Sequence, residues 1–230
     1  MEKIIFFDTG PIISLVMSNL DWIIPKLKEK FGGKFYITPA VRRELVEHPL
    51  TVKRFEFEAL QVLRLIEKGV LEVYTNVPQD KANKLVSLAN SSFQIENKTL
   101  DIMQEGEVEI LASALQLNAP IVMDERTIRL MIENNKEMRK LLELRFSKEV
   151  EVNPDKVKQF VEITKDIKII RSVELVGLAY SFGLLNDYIP KLKEGKEILA
   201  DSVLWSVKYN GCAVTESEIE EFKKILLNQK

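Results

Sequence analysis

The chain has 230 residues, 46% of them hydrophobic and 30% charged, with a formal net charge of -2. That length suits one large domain, or one domain with an appendage, and the charge gives no global basic footprint for nucleic acid. One cysteine (Cys212) and one histidine (His48) exclude an internal disulfide, a zinc centre of the usual Cys/His kind, and Ser-His-Asp or Cys-His catalysis by the chain's own groups, so catalysis would fall to carboxylates. In chain order, a short strand is expected over residues 3–7, where the continuous apolar run Ile4-Ile5-Phe6-Phe7 meets Asp8-Thr9-Gly10-Pro11, the pattern of a strand buried on both faces of a parallel sheet. Gly10-Pro11 opens a helix, with proline at an early position where its missing N–H costs nothing. A second strand is expected over 35–37, then Thr38 as N-cap, Pro39 at the first helical position, and a helix to about residue 47. Helical spacing over 55–68 ends at Gly69, and a third strand follows over 70–74. A helix over 79–89, an irregular polar stretch over 91–99 and a helix over 106–117 lead to a fourth strand at 121–123. Helical stretches over 127–144 and 154–164 precede a fifth strand at 167–170, and helices over 172–184, 196–209 and 216–227 complete the chain. Strands alternating with helices predict an α/β fold with a parallel sheet. Residues 126–165 are long for one connection and read as a helical insertion; residues 191–230 read as a C-terminal helical appendage.

Four acidic signatures stand out: Asp8 after the first strand, Glu44 in Arg42-Arg43-Glu44-Leu45, Glu107 in Glu105-Gly106-Glu107-Val108-Glu109, and Asp124-Glu125 after the fourth strand. Carboxylates are seldom buried unless paired or metal-bound. In an open parallel sheet, ligands bind beyond the C-terminal ends of the strands. If the first and fourth strands are neighbours, Asp8 and Asp124 face one crevice. Glu44 flanks a buried face, and Glu107 shares a helical stripe with Leu111 and Ala114. A cluster of this kind calls for a hard divalent cation, Mg²⁺ or Mn²⁺, and for the phosphodiester hydrolysis by metal-activated water that such cations support.

Each residue also has a structural reading. Asp8 is placed to cap the Gly10-Pro11 helix, Glu44 to pair with a neighbouring arginine, and Glu107 to favour the N-terminal end of its helix dipole. Glu105 and Asp101 compete with Glu107 for the ligand role, while Glu125 reads as a supporting or solvated group. The cations of the insertion, Arg126 to Lys148, are interleaved with Glu133, Glu137 and Glu143, which fits a solvated, charge-paired helix better than a phosphate-tracking stripe.

The stretches 4–11, 37–45, 106–112 and 121–125, in that order and spacing, resemble the PIN domain, a nuclease-like α/β family that includes the VapC toxins and related archaeal proteins. The resemblance covers roughly residues 3–190, within an expected PIN-like domain of residues 1–190. It implies a central parallel sheet of about five strands in the order 3-2-1-4-5, flanked by helices. It also implies Mg²⁺- or Mn²⁺-dependent endoribonuclease activity on an RNA substrate, with Asp8, Glu44, Glu107 and Asp124 as catalytic and metal-binding residues. Thr9 and Ser172 are the polar helpers by position. An antitoxin or other protein partner, and pairing of two copies, are left open by the resemblance. A catalytically weak scaffold that binds RNA or protein on the same fold is the alternative. No apolar run reaches the roughly 18 residues of a membrane span and the N-terminus lacks a signal-peptide layout, so a cytoplasmic protein without a membrane partner is expected. The abundance of Lys and Glu leans towards a thermophilic source.

Overall fold

The computed structural model describes residues 2–228. The chain runs β1 (Ile4–Phe7), α1 (Thr9–Met17), α2 (Ile23–Phe31), β2 (Lys34–Ile37), α3 (Pro39–Arg42), α4 (Glu56–Glu67), β3 (Glu72–Val73), α5 (Gln79–Asn90), β4 (Phe93–Ile95) and β5 (Lys98–Thr99). It continues through α6 (Glu105–Leu117), β6 (Ile121–Val122), α7 (Arg126–Glu133), α8 (Asn135–Phe146), β7 (Glu151–Val152), α9 (Pro154–Thr164), β8 (Ile169–Ile170), α10 (Ser172–Ser181), α11 (Gly195–Tyr209) and α12 (Glu216–Asn228).

The apolar run at the start of the chain is the central strand. β1 pairs in parallel with β2 on one side and β6 on the other, within a five-stranded sheet of order β3-β2-β1-β6-β8. The first and fourth strands of this sheet are therefore neighbours, as the crevice requires. Phe6 and Phe7 are almost wholly buried, Phe6 against Tyr36 and Tyr74 and Phe7 against Phe35. Burying one such side chain contributes about 1.5–3 kcal/mol, which explains why a four-residue strand can hold the middle of the sheet. Around it, α1 packs against α4, α10 and α11, while α6 packs against α3, α5 and β1.

Four departures from the expected elements have local causes. Residues 91–99 are not irregular: β4 and β5 form a hairpin whose turn residues Glu96 and Asn97 both have positive φ, the geometry of a tight hairpin turn. β4 also pairs antiparallel with β7, so 126–165 contributes a strand to a second, three-stranded sheet and is not helical throughout. The single helix expected over 127–144 is two, because Asn134 leaves helical geometry at φ -154 and its side chain accepts from the Glu137 N–H to start α8. Finally, α3 widens into a π-helical turn over Arg43–Glu47, where the His48 N–H returns to the Arg43 carbonyl. α2, with Pro25 in its first turn, was not among the expected elements.

The C-terminal helices are part of the same packing. Leu199, Leu204, Val207 and Ile219 belong to one core cluster with Phe6 and Ile121. No helix among the described residues is long and apolar enough to cross a membrane.

Candidate functional site

The pairing of β1 with β6 builds the first half of the site. Phe7 stands opposite Val122, and the Asp8 N–H donates to the Val122 carbonyl at 2.9 Å. Asp8 and Asp124 thus leave adjacent strands at their C-terminal ends, and both are buried. Gly10, in the first turn of α1, lies between them: a methyl group there would sit 3.5 Å from Asp124 Cβ and 3.7 Å from Asp8 Oδ2. Asp8 occupies the N-cap position of α1 but makes no side-chain capping hydrogen bond to it. The Thr9 and Gly10 N–H groups nevertheless face its carboxyl and favour its charged form, so part of the capping role remains.

Helices supply the second half. Glu44 lies in the π-helical turn, a distortion often found at functional positions, and its Oε2 accepts from the Thr9 hydroxyl at 2.5 Å. Its carboxylate lies against the N-terminus of α6 at Gly106, where an added methyl would come within 2.9 Å of Glu44 Oε1. Any residue larger than glycine there would push Glu44 aside. Glu107, next in α6, is buried, and its Oε2 accepts from the Gln104 N–H at 2.8 Å. It therefore also holds the start of its own helix. Glu109 in turn accepts from the Ala40 N–H at 2.9 Å and ties α6 to the beginning of α3. The two elements that carry Glu107 and Glu44 are fixed to each other by this bond.

Asp124 is the most closely held member. Its Oδ1 accepts from the Ser172 backbone N–H at 2.8 Å and its Oδ2 from the Ser14 hydroxyl at 2.9 Å. Ser172 thus reaches the site through its backbone, at the first position of α10. Ser14 was not singled out in the sequence; a hydroxyl between Ile13 and Leu15 in an otherwise apolar helix was its signal. Cys212, buried, lies near Asp124, and desolvation first and Asp124 second push its thiol up to about 12. Glu125 caps α7, accepting from the Ile128 N–H at 2.8 Å, and stays within electrostatic reach of Glu107.

The competing acids point elsewhere. Glu105 is exposed and pairs with Arg43 at 2.6 Å, and Asp101 is exposed and accepts from the Asn90 amide. In the insertion, Arg139 pairs with Glu143, Lys140 with Glu137 and Lys148 with Glu96, the solvated arrangement expected. His48 is exposed.

Burial and mutual repulsion define the electrostatics. Asp8 is raised to about 7, chiefly by desolvation, with Glu44 and Asp124 adding and the Thr9 and Gly10 N–H groups opposing. Glu107 is raised to about 8, again chiefly by desolvation, with the Gln104 N–H opposing and Glu125, Asp8 and Glu44 adding. Among the described residues, none of Asp8, Glu44, Glu107, Asp124 and Glu125 forms an ion pair. A set of coupled carboxylates with no basic partner is matched by a cation held through oxygen atoms. Among the described residues, however, no three His, Cys, Asp or Glu side chains are disposed as a ready metal-binding group. Both oxygens of Asp124, and Oε2 of Glu107 and of Glu125, are engaged with N–H and O–H donors beside them. No protein-family model matches the chain, and neither a curated protein nor a solved structure gives a significant match.

Proposed function

We propose that the chain is a divalent-metal-dependent endoribonuclease of PIN-like type, with Asp8, Glu44, Glu107 and Asp124 as its acidic centre. The observation that carries this reading is the mutual electrostatic coupling of these carboxylates at the C-terminal edge of the sheet, with no Lys or Arg among the described residues neutralising them. Mg²⁺ or Mn²⁺, when bound, supplies a Lewis acid that polarises a phosphodiester oxygen and acidifies water. The chain's own groups do the positioning. Ser14 and the Ser172 N–H hold Asp124, Thr9 holds Glu44, and Gly106 leaves room for the Glu44 carboxylate. Asp8 and Glu107 retain protons near neutrality until a cation competes for them, so cation uptake releases protons and activity rises with pH through the neutral range.

The second reading is a catalytically weak scaffold that binds RNA or a protein on the same fold. It is favoured by the absence of a ready three-ligand group among the described residues. Cleavage of labelled single-stranded RNA in Mg²⁺, Mn²⁺ and EDTA separates the two. The nuclease reading requires metal-dependent cleavage that is lost in Asp8→Asn and Asp124→Asn. Amide variants that cleave as fast as wild type would refute it.

A further inference from the structure

The Ser172 backbone N–H donates to Asp124 Oδ1 at 2.8 Å, so whatever fixes the first turn of α10 also fixes Asp124. The residue before it, Arg171, is engaged at every polar group. Its N–H donates to Glu174 Oε2 at 2.6 Å. Its carbonyl, in the same peptide plane as the Ser172 N–H, accepts from the Glu174 and Leu175 N–H groups at 3.1 and 3.2 Å. Its guanidinium forks between two carboxylates, with Nε and Nη2 on Glu174 at 3.0 and 2.6 Å and Nη1 on Glu218 at 2.7 Å. The Arg171 side chain is only 14% exposed. Glu174 belongs to α10 itself, but Glu218 lies in the first turn of α12, where it also accepts from the Thr215 N–H at 2.8 Å. The rest of α12 docks on α10 independently of this pair. Ile219 and Leu226 are buried, and the Phe222 ring lies where a side chain on Gly177 would go.

We propose that Arg171 and Glu218 are positioning residues of the acidic centre, their ion pair tying α12 to the peptide that presents the Ser172 N–H to Asp124. The consequence for cation binding rests on the metal-dependent reading above. Glu174 alone fixes Arg171 within its own helix. Glu218 supplies a second point of attachment, from an element that is already seated, and so fixes the start of α10 against the rest of the fold. The residue type matters. A guanidinium meets two carboxylates at once through its planar fork, whereas an ammonium is a point charge on a flexible stem. With both carboxylates engaged, the Arg171 charge is matched outside the acidic centre and leaves Asp124 unneutralised. The last helix thus helps to set the geometry of a carboxylate that it does not carry.

The test compares full-length wild type with Glu218→Ala and Arg171→Lys, which leave the apolar seat of α12 intact. In EDTA, hydrogen exchange read by NMR compares the Ser172 N–H with the Asp8 N–H, which bonds the Val122 carbonyl inside the sheet and reports opening of the whole fold. The expected result is exchange about tenfold faster at Ser172 in both variants, with Asp8 unchanged. Mn²⁺ affinity, read by calorimetry, should fall about tenfold in both. Ser172→Pro removes the N–H itself, at a first helical position that suits proline and after a residue already extended at φ -101 and ψ 165. In that background Glu218→Ala should lower Mn²⁺ affinity little further, because changes acting through one shared bond are not additive. The exchange comparison does not depend on this variant. Exchange at Ser172 that quickens no more than at Asp8, or losses of Mn²⁺ affinity that add in the double variant, leaves the pair a structural role only and overturns the proposal. Selective opening at Ser172 in a protein that takes up no Mn²⁺ keeps the positioning pair and removes the metal reading; Mn²⁺ binding that both variants leave intact does the reverse.

Discussion

Ser14, on the first helix, donates its hydroxyl to Asp124 Oδ2 at 2.9 Å, and the same oxygen lies 3.2 Å from the Asn210 carbonyl at the end of α11. One buried hydroxyl thus touches the acidic centre and the C-terminal helices together. Ser14→Ala leaves a buried carboxylate oxygen short of a donor. It should lower stability by about 1–3 kcal/mol in urea unfolding. If Asp124 is a metal ligand as proposed, the substitution should also weaken Mn²⁺ binding roughly 10–100-fold, the usual effect of removing a ligand's supporting hydrogen bond.

The raised carboxyls make a signed prediction about pH. Asp8 moves from 3.8 to about 7 and Glu107 from 4.5 to about 8, so the folded protein holds protons that the unfolded chain has released. Stability from these groups is fully present below the unfolded values and is lost as pH rises through the folded ones. In EDTA, the urea midpoint should therefore fall between pH 5 and pH 8, by on the order of a few kcal/mol in unfolding free energy. Asp8→Asn should flatten the curve and raise stability at pH 8. Glu218 has the opposite sign: against desolvation, the Thr215 N–H and Arg171 pull it from 4.5 down to about 2, so its contribution is lost as pH falls from about 4.5 through 2, outside that window.

Gly106→Ala should separate stability from function. The added methyl meets the end of the flexible Glu44 side chain at 2.9 Å, which can rotate away from the backbone of α6. Alanine is also the better helix former by about 1 kcal/mol. Thermal unfolding should be unchanged or slightly raised, while, on the proposed function, Mn²⁺ affinity and RNA cleavage fall because Glu44 leaves its bond to Thr9. A variant with full activity would show that Glu44's position does not matter.

Much of the frame was legible in the residues. The run Ile4-Ile5-Phe6-Phe7 has no polar face, so it could only lie inside a sheet, and β1 is the central strand. The hairpin at Phe93–Thr99 was missed because its turn is Glu96-Asn97, without the glycine that usually announces such turns. The π-helical turn carrying Glu44 has no sequence signature distinct from that of an α-helix. At the site, Asp8 and Asp124 were readable because strand ends can be found from apolar runs. Ser14 was not, because its place depends on contacts across long separations, from α1 to Asp124 and to the end of α11.

The most direct measurement is calorimetric titration of the metal-free protein with Mn²⁺ at pH 7, in two buffers of different ionisation enthalpy. The proposed centre predicts saturable binding with net proton release from Asp8 and Glu107, and loss of both binding and proton release in Asp124→Asn. Wild type that takes up no Mn²⁺, or binds it without proton release and equally well as Asp124→Asn, would contradict a metal centre built from these carboxylates.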